Sequence, residues 1–235
     1  MEVNGFEGLE PLDRGGFGTV YRATRSSTGG VVAIKVLDPA QAGDDGALLE
    51  RRLRREITAL LQLKGHPNVV QVEEVVSTPG GPGIVMEFMD GGAVLGPDTP
   101  PMSAVESATI GAGIASALAA AHEVGIVHRD VKPKNMLKNS FGQVKLCDFG
   151  IAAIVKSSEF ATRTTSLSVQ YASPEELDEA PDIGPPTDVY SLGASLYHLW
   201  RGSPPSFRAG RWGESLSTPQ GGNPGPVVFH LLRWH

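Results

Sequence analysis

The pattern of hydrophobic and polar positions divides the chain into two unlike parts. Phe6 to Leu12, Thr19 to Arg25 and Val31 to Leu37 are short β-prone runs. The glycine-rich stretches Gly15-Gly16-Phe17-Gly18 and Thr28-Gly29-Gly30 separate them as turns. From about Ala47 to Leu63 the period changes. Leu49, Leu53, Ile57, Leu60 and Leu61 recur at the spacing that places them on one face of a helix. Val69 to Val76 and Gly83 to Phe88 read as two more strands. Five strands and one helix predict a small, mostly antiparallel lobe over residues 1–88.

Beyond it the reading turns helical. Gly91 to Pro101 holds three prolines and three glycines and reads as a linker or irregular loop. Ser103 to Glu123 is a predicted helix, with Ser103 as N-cap and Glu106 at the capping-box position. Two short strands flank 135–148, and a further helix runs from about Asp188 to Trp200. Residues 89–207 are read as this second lobe. The tail from Pro204 is rich in Gly, Pro and Ser, with little periodicity until Val227 to Leu232. No internal repeat is visible. The fold class expected is α+β with two lobes.

Composition narrows the function classes. A chain of 235 residues accommodates one large domain or two lobes sharing an interface. Its net charge of -6 gives no global reason to expect nucleic acid or an anionic membrane as partner. The basic run Arg51, Arg52, Arg54 and Arg55 reads as a solvated helix face. One cysteine, Cys147, leaves no intrachain disulfide to form and fits a reducing compartment. The most apolar helical run, Ile110 to Ala121, is too short and too rich in Gly and Ala for a membrane span, so none is expected. Met1 to Gly5 lacks the basic-then-apolar order of a signal peptide, and a cytoplasmic location is the default expectation.

The candidate chemistry lies in ordered motifs. Arg14-Gly15-Gly16-Phe17-Gly18-Thr19-Val20 stands between two strands. Glycines there allow backbone N–H groups to approach phosphates closely, although a plain turn would look the same. Val32-Ala33-Ile34-Lys35 lies on the third strand, and Glu56 on the helix that follows. His128-Arg129-Asp130-Val131-Lys132-Pro133-Lys134-Asn135, Asp148-Phe149-Gly150 and Tyr171-Ala172-Ser173-Pro174-Glu175 come after in order, then Thr187-Asp188-Val189-Tyr190-Ser191-Leu192-Gly193.

Taken together these motifs resemble a bacterial Hanks-type (eukaryotic-like) serine/threonine protein kinase over residues 6 to about 207. The resemblance implies ATP and Mg²⁺ as cofactors and proteins as substrates. It implies Asp130 as acceptor of the substrate hydroxyl proton, Lys132 as a cation beside the γ-phosphate, and Asn135 and Asp148 as metal ligands. Lys35 would reach the α/β-phosphates and pair with Glu56. The nucleotide would lie against Leu12, Gly15, Gly16, Gly18, Val20 and Ala33 above and Leu137 below. Met86 would be the gatekeeper, and the backbone of Glu87 and Met89 would bond the adenine edge. Phe149 would pack toward Leu60, with His128 in the same column. Asp188 would anchor the catalytic-loop backbone, or serve simply as a helix N-terminal acid. Thr162, Thr164, Thr165 and Ser166 would be activation-loop phosphosites near Arg129.

Three departures from the family pattern stand out. Asp13 occupies the first glycine position and is expected to repel phosphate. Leu167 and Ser168 stand where the family usually has Gly-Thr. After Phe207 the later helices of the family are not found, so residues 208–235 read as a divergent tail of a truncated or frame-shifted lobe. That reading leaves Glu175 without its usual arginine and predicts marginal stability and self-association. The alternative to an active enzyme is a catalytically impaired kinase-like binding or scaffolding module.

Overall fold

In the computed structural model the chain has two lobes, described over residues 1–15, 18–39, 46–96, 99–149, 169–178, 180 and 183–206, without the side chains of 46–49, 52, 55 and 56. Gly16, Gly150, the candidate phosphosites and the tail 208–235 therefore lie outside the described residues, as does the side chain of Glu56.

The N-terminal lobe is a five-stranded antiparallel sheet in the order β1-β2-β3-β5-β4. Its strands are β1 (Phe6–Gly15), β2 (Gly18–Arg25), β3 (Val31–Leu37), β4 (Val72–Thr78) and β5 (Gly81–Glu87). The two-residue period of β3 explains why it is central. Val32, Ile34 and Val36 share one face with Phe6, Ala23 and Val85. Ala33 and Leu37 share the other with Ile84 and Met86, under helix α1 (Gly46–Leu60). That helix presents Leu53 and Ile57 to the sheet. Leu53 is fully buried, so trimming it to alanine costs about 2–5 kcal/mol.

The second lobe is built on α2 (Ala104–Glu123) and α4 (Pro185–Arg201), with the short α3 (Pro174–Leu177) between them in sequence. The predicted capping box on α2 is formed: Ser103 Oγ accepts the Glu106 N–H, and the Glu106 carboxylate accepts the Ser103 N–H. Gly111 lets α4 approach closely, since a Cβ there would meet Leu196 Cδ1 at 2.7 Å. Gly202 ends α4 in the left-handed conformation glycine favours, at φ 74°. By length and composition α2 does reach the range of a membrane span, contrary to the reading of Ile110–Ala121 as too short. In this fold Ile114, Ala117 and Ala121 are fully buried in the lobe core with Leu146, Phe149 and Leu199.

A small sheet joins the lobes. Strands β6 (Gly92–Ala93), β7 (Met136–Lys138) and β8 (Val144–Leu146) lie in that order. The stretch read as a linker thus contains a strand, too short at two residues to show a period. The expected strand from Val69 begins only at Val72. Val69 forms a parallel bridge to Leu146 instead, and Val70 N–H and Leu146 N–H bond Leu146 and Asn68 carbonyls at 2.9 and 2.8 Å. The lead-in to β4 is therefore stitched to the second lobe's sheet.

Candidate active site

The loop between α2 and β7 carries the His-Arg-Asp motif, and α4 holds it from below. Asp188 is fully buried. Its Oδ1 accepts the Arg129 N–H, and its Oδ2 accepts the His128 N–H and His122 Nε2, each at 2.8 Å. Burial alone would raise the Asp188 pKa; the bond from His122 and those loop N–H groups hold it below the ordinary carboxylate value. The anchoring role expected of Asp188 is realised, and His122, which no motif flagged, completes it.

His128 ties this loop to the end of β8. A backbone N–H, that of Asp130, faces its Nδ1 at 3.2 Å, so Nδ1 accepts and Nε2 donates to the Cys147 carbonyl at 2.8 Å. Its ring lies 4.7 Å from that of Phe149. Phe149 shares its cluster with Leu60, as expected. The two non-glycine residues with positive φ are Arg129 (62°) and Asp148 (66°), among the described residues. Both flank this junction, where strain of about 1–3 kcal/mol each is held by the surrounding bonds.

Asp130, Lys132 and Asn135 form one cluster. Lys132 Nζ lies 2.9 and 2.7 Å from the two Asp130 carboxylate oxygens. Asn135 Nδ2 donates to the Asp130 carbonyl at 2.7 Å and to its Oδ2 at 3.0 Å. Two acceptors on the nitrogen side turn the Asn135 oxygen the other way, where it can serve a cation.

Lys35 reaches across from β3. Its Nζ donates to Asp148 Oδ2 at 2.6 Å. Burial works against both charges; the neighbouring opposite charge outweighs it, raising the Lys35 pKa and lowering that of Asp148. Among the described side chains the partner of Lys35 is thus Asp148; the expected pairing with Glu56 falls outside them. The same burial, joined by the Asp148 carboxylate, pushes the Cys147 thiol well above its ordinary value, which suits a packing residue.

The expected adenine contacts come together in part. Ala33, Met86 and Met89 are buried in one cluster with Cys147, and Val20 and Leu137 pack against it. Leu12 is 50 % exposed and stands apart from that cluster. Gly15 faces Gly18 at the closed end of the hairpin. Gly18, at φ 146°, owes its identity to packing: a Cβ there would collide with the Val36 carbonyl oxygen. The N–H of Glu87 is already given to the Gln71 carbonyl at 3.0 Å, which leaves its carbonyl as the backbone group for the adenine edge.

Two acidic residues have neighbours that the sequence did not show. Asp13 was expected to repel phosphate; its carboxylate lies 2.9 Å from Lys134 Nζ on the catalytic loop, an exposed pair that offsets part of its charge. Glu175 was expected to lack its usual arginine, and among the described residues no cation pairs with it; its Oε1 accepts the Thr187 hydroxyl at 2.8 Å. Burial would raise the Glu175 pKa, but its own backbone N–H and the Thr187 and Ser173 hydroxyls hold it low.

Asn135 and Asp148 offer an amide and a carboxylate oxygen, a donor set that suits Mg²⁺, which takes few protein oxygens and completes its octahedron with water and phosphate. Comparisons with known proteins give the family. The protein kinase domain family matches residues 6–215, reaching past Phe207. Serine/threonine-protein kinase PknK of Mycobacterium bovis is 42% identical over 201 residues, 84% of this chain but 18% of that protein. PkaA of Streptomyces coelicolor is 38% identical over 83% of this chain and 38% of its own length. The crystal structure of the Mycobacterium tuberculosis PknI kinase domain superposes with a TM-score of 0.70 at 28% identity, covering 92% of this chain and 80% of that one. The chain thus spans under a fifth of PknK and well under half of PkaA. With its two lobes, its catalytic-loop cluster and these relatives, the chain belongs to the protein kinase family, in its bacterial Hanks-type serine/threonine branch.

Proposed function

We propose that this chain transfers the γ-phosphoryl group of Mg²⁺-bound ATP to serine or threonine hydroxyls of protein substrates. The observation that carries the reading is the convergence of Lys35, Asp148, Asp130, Lys132 and Asn135 across one cleft, with both lobes contributing. Asp130 would accept the hydroxyl proton as the substrate oxygen bonds to the γ-phosphorus and the bond to the β-bridging oxygen breaks, releasing ADP. Lys132, already on Asp130, would offset charge on the transferring group. Asn135 and Asp148 would hold Mg²⁺, whose chemistry here is to neutralise phosphate charge. Lys35 would exchange Asp148 for the α/β-phosphates, with Glu56 behind it. Val20, Ala33 and Leu137 would enclose the adenine, with Met89 and the Glu87 carbonyl bonding its edge, and Gly15, Gly16 and Gly18 would cover the phosphates.

Autophosphorylation in the segment 162–166 is part of the proposal: among the described residues no carboxylate pairs with Arg129, whose guanidinium would then receive the phosphate. The test is incubation with Mg²⁺-ATP and a mixture of protein acceptors, read by mass spectrometry. Phosphoserine or phosphothreonine that disappears in Asp130→Asn supports the reading. A folded chain that binds ATP yet transfers nothing returns it to a binding module.

A further inference from the structure

Glu87 is the residue after Met86, at the end of β5, and its carboxylate is unusually committed. Both oxygens lie 2.8 Å from Lys145 Nζ. Oε1 also accepts the Gln71 N–H at 2.7 Å, while the Glu87 N–H returns to the Gln71 carbonyl at 3.0 Å. Gln71 is itself fixed, its side chain donating to the Val69 carbonyl at 2.8 Å and accepting the Gly65 N–H at 2.7 Å. Lys145 is 9% exposed. A lysine this buried gives up most of its hydration, and an apolar pair of similar volume would pack there as well or better. A stability role alone therefore does not account for the choice of charged residues.

The placement accounts for it. Lys145 is on β8, three residues before Asp148, and Glu87 is one residue beyond Met86. The pair joins the peptide that faces the adenine edge to the strand that delivers the metal-binding carboxylate. We infer that Lys145, with Glu87 and Gln71, forms a positioning clamp for nucleotide recognition, fixing the adenine-bonding peptide at a set distance from Asp148. The inference rests on the ATP reading proposed above and names a residue outside every motif of the sequence.

The experiment measures affinity for adenosine and for Mg²⁺-tripolyphosphate by calorimetry, and the ATP dependence of turnover. The proteins are the full chain, Lys145→Met, Glu87→Gln and Lys145→Arg. Lys145→Met should weaken adenosine binding and raise the KM for ATP about tenfold, the size of one lost charged hydrogen bond. Affinity for Mg²⁺-tripolyphosphate should stay unchanged. Lys145→Arg, which keeps a two-pronged donor, should recover most of the loss. Glu87→Gln preserves volume and serves if Lys145→Met does not fold. Folded variants that bind adenosine like the parent chain overturn the clamp. So does an equal loss for adenosine and Mg²⁺-tripolyphosphate, which marks a general structural role. A parent chain that binds no adenosine at all overturns the ATP reading instead.

Discussion

The back and the mouth of the cleft are each closed by a lysine–carboxylate pair, and the two pairs differ in kind. At the back, Lys145 and Glu87 have side chains 11% and 27% exposed, and backbone bonds between residues 68–70 and Leu146 run alongside. At the mouth, Lys134 and Asp13 are 60% and 48% exposed, one on the catalytic loop and the other near the end of β1. Similar chemistry at nearly the same distance has different consequences because water decides the energy. A solvated pair contributes about 0–1 kcal/mol and fades with salt. A buried one costs several kcal/mol to break because the survivor is stranded. The back of the cleft is thus held by a pair that is costly to break, and the mouth by one that is not.

The largest expected effect lies between these two ends. Asp130→Asn should cut kcat by about 10²- to 10⁴-fold, the range for losing a general base. It should leave nucleotide affinity nearly unchanged, because Asp130 bonds Lys132 and Asn135 and stands apart from the adenine-side cluster. Steady-state kinetics beside direct binding separate the two; an equal loss in both would move Asp130 from chemistry to binding.

Stability should divide the two ends next. Glu87→Ala should destabilise the chain by about 3 kcal/mol, the lower end of the range for a stranded buried charge. Asp13→Ala should cost no more than about 1 kcal/mol, and less in salt. Denaturant unfolding at low and high ionic strength measures both. Equal costs would break the comparison.

Acid should reveal the buried groups in sequence. His198 accepts the Tyr171 hydroxyl at its Nδ1, 2.6 Å away, and burial lowers its pKa. The unfolded chain then binds the extra proton first, so stability begins to fall as pH drops below about 6.5. Asp188 and Asp148 have folded pKa values below their unfolded ones. Their contribution is present above about pH 4 and is lost as pH falls through the depressed values. Thermal midpoints across pH should show two successive declines, and His198→Phe should remove the first.

The smallest effect belongs to Asp13. With Lys134 answering its charge, Asp13→Gly should change the KM for ATP by less than about threefold, since exposed pairs count for little. A larger fall would mean that the carboxylate leaves Lys134 and meets the phosphates.

Legibility in the sequence followed the same division. Strands of seven residues or more and the capped helix α2 show in periodicity and capping, because one buried face imposes a repeat. The catalytic loop shows because its chemistry needs several residue types in fixed order. The two-residue strand β6 has no period to show. Lys145 reads as the polar position of an alternating strand, since nothing local announces that Glu87, 58 residues away in sequence, waits opposite. His122 is likewise an ordinary polar residue in the last turn of a helix until Asp188 is brought beneath it. The Asp13–Lys134 pair was not legible because sequence places Asp13 beside the glycine-rich turn but not beside Lys134. Contacts made across the cleft are properties of the closed fold.

The left-handed backbone at Arg129 and Asp148 bears on how such a chain would change under selection. Glycine adopts that conformation freely, and asparagine more readily than most residues. A library screened only for heat resistance should therefore drift toward glycine at 129, gaining stability as it discards the guanidinium. Position 148 should resist the same drift, because losing its carboxylate would strand the buried Lys35 ammonium. Screening for phosphoryl transfer should pull position 129 back, so that residue would mark which property a selection had rewarded.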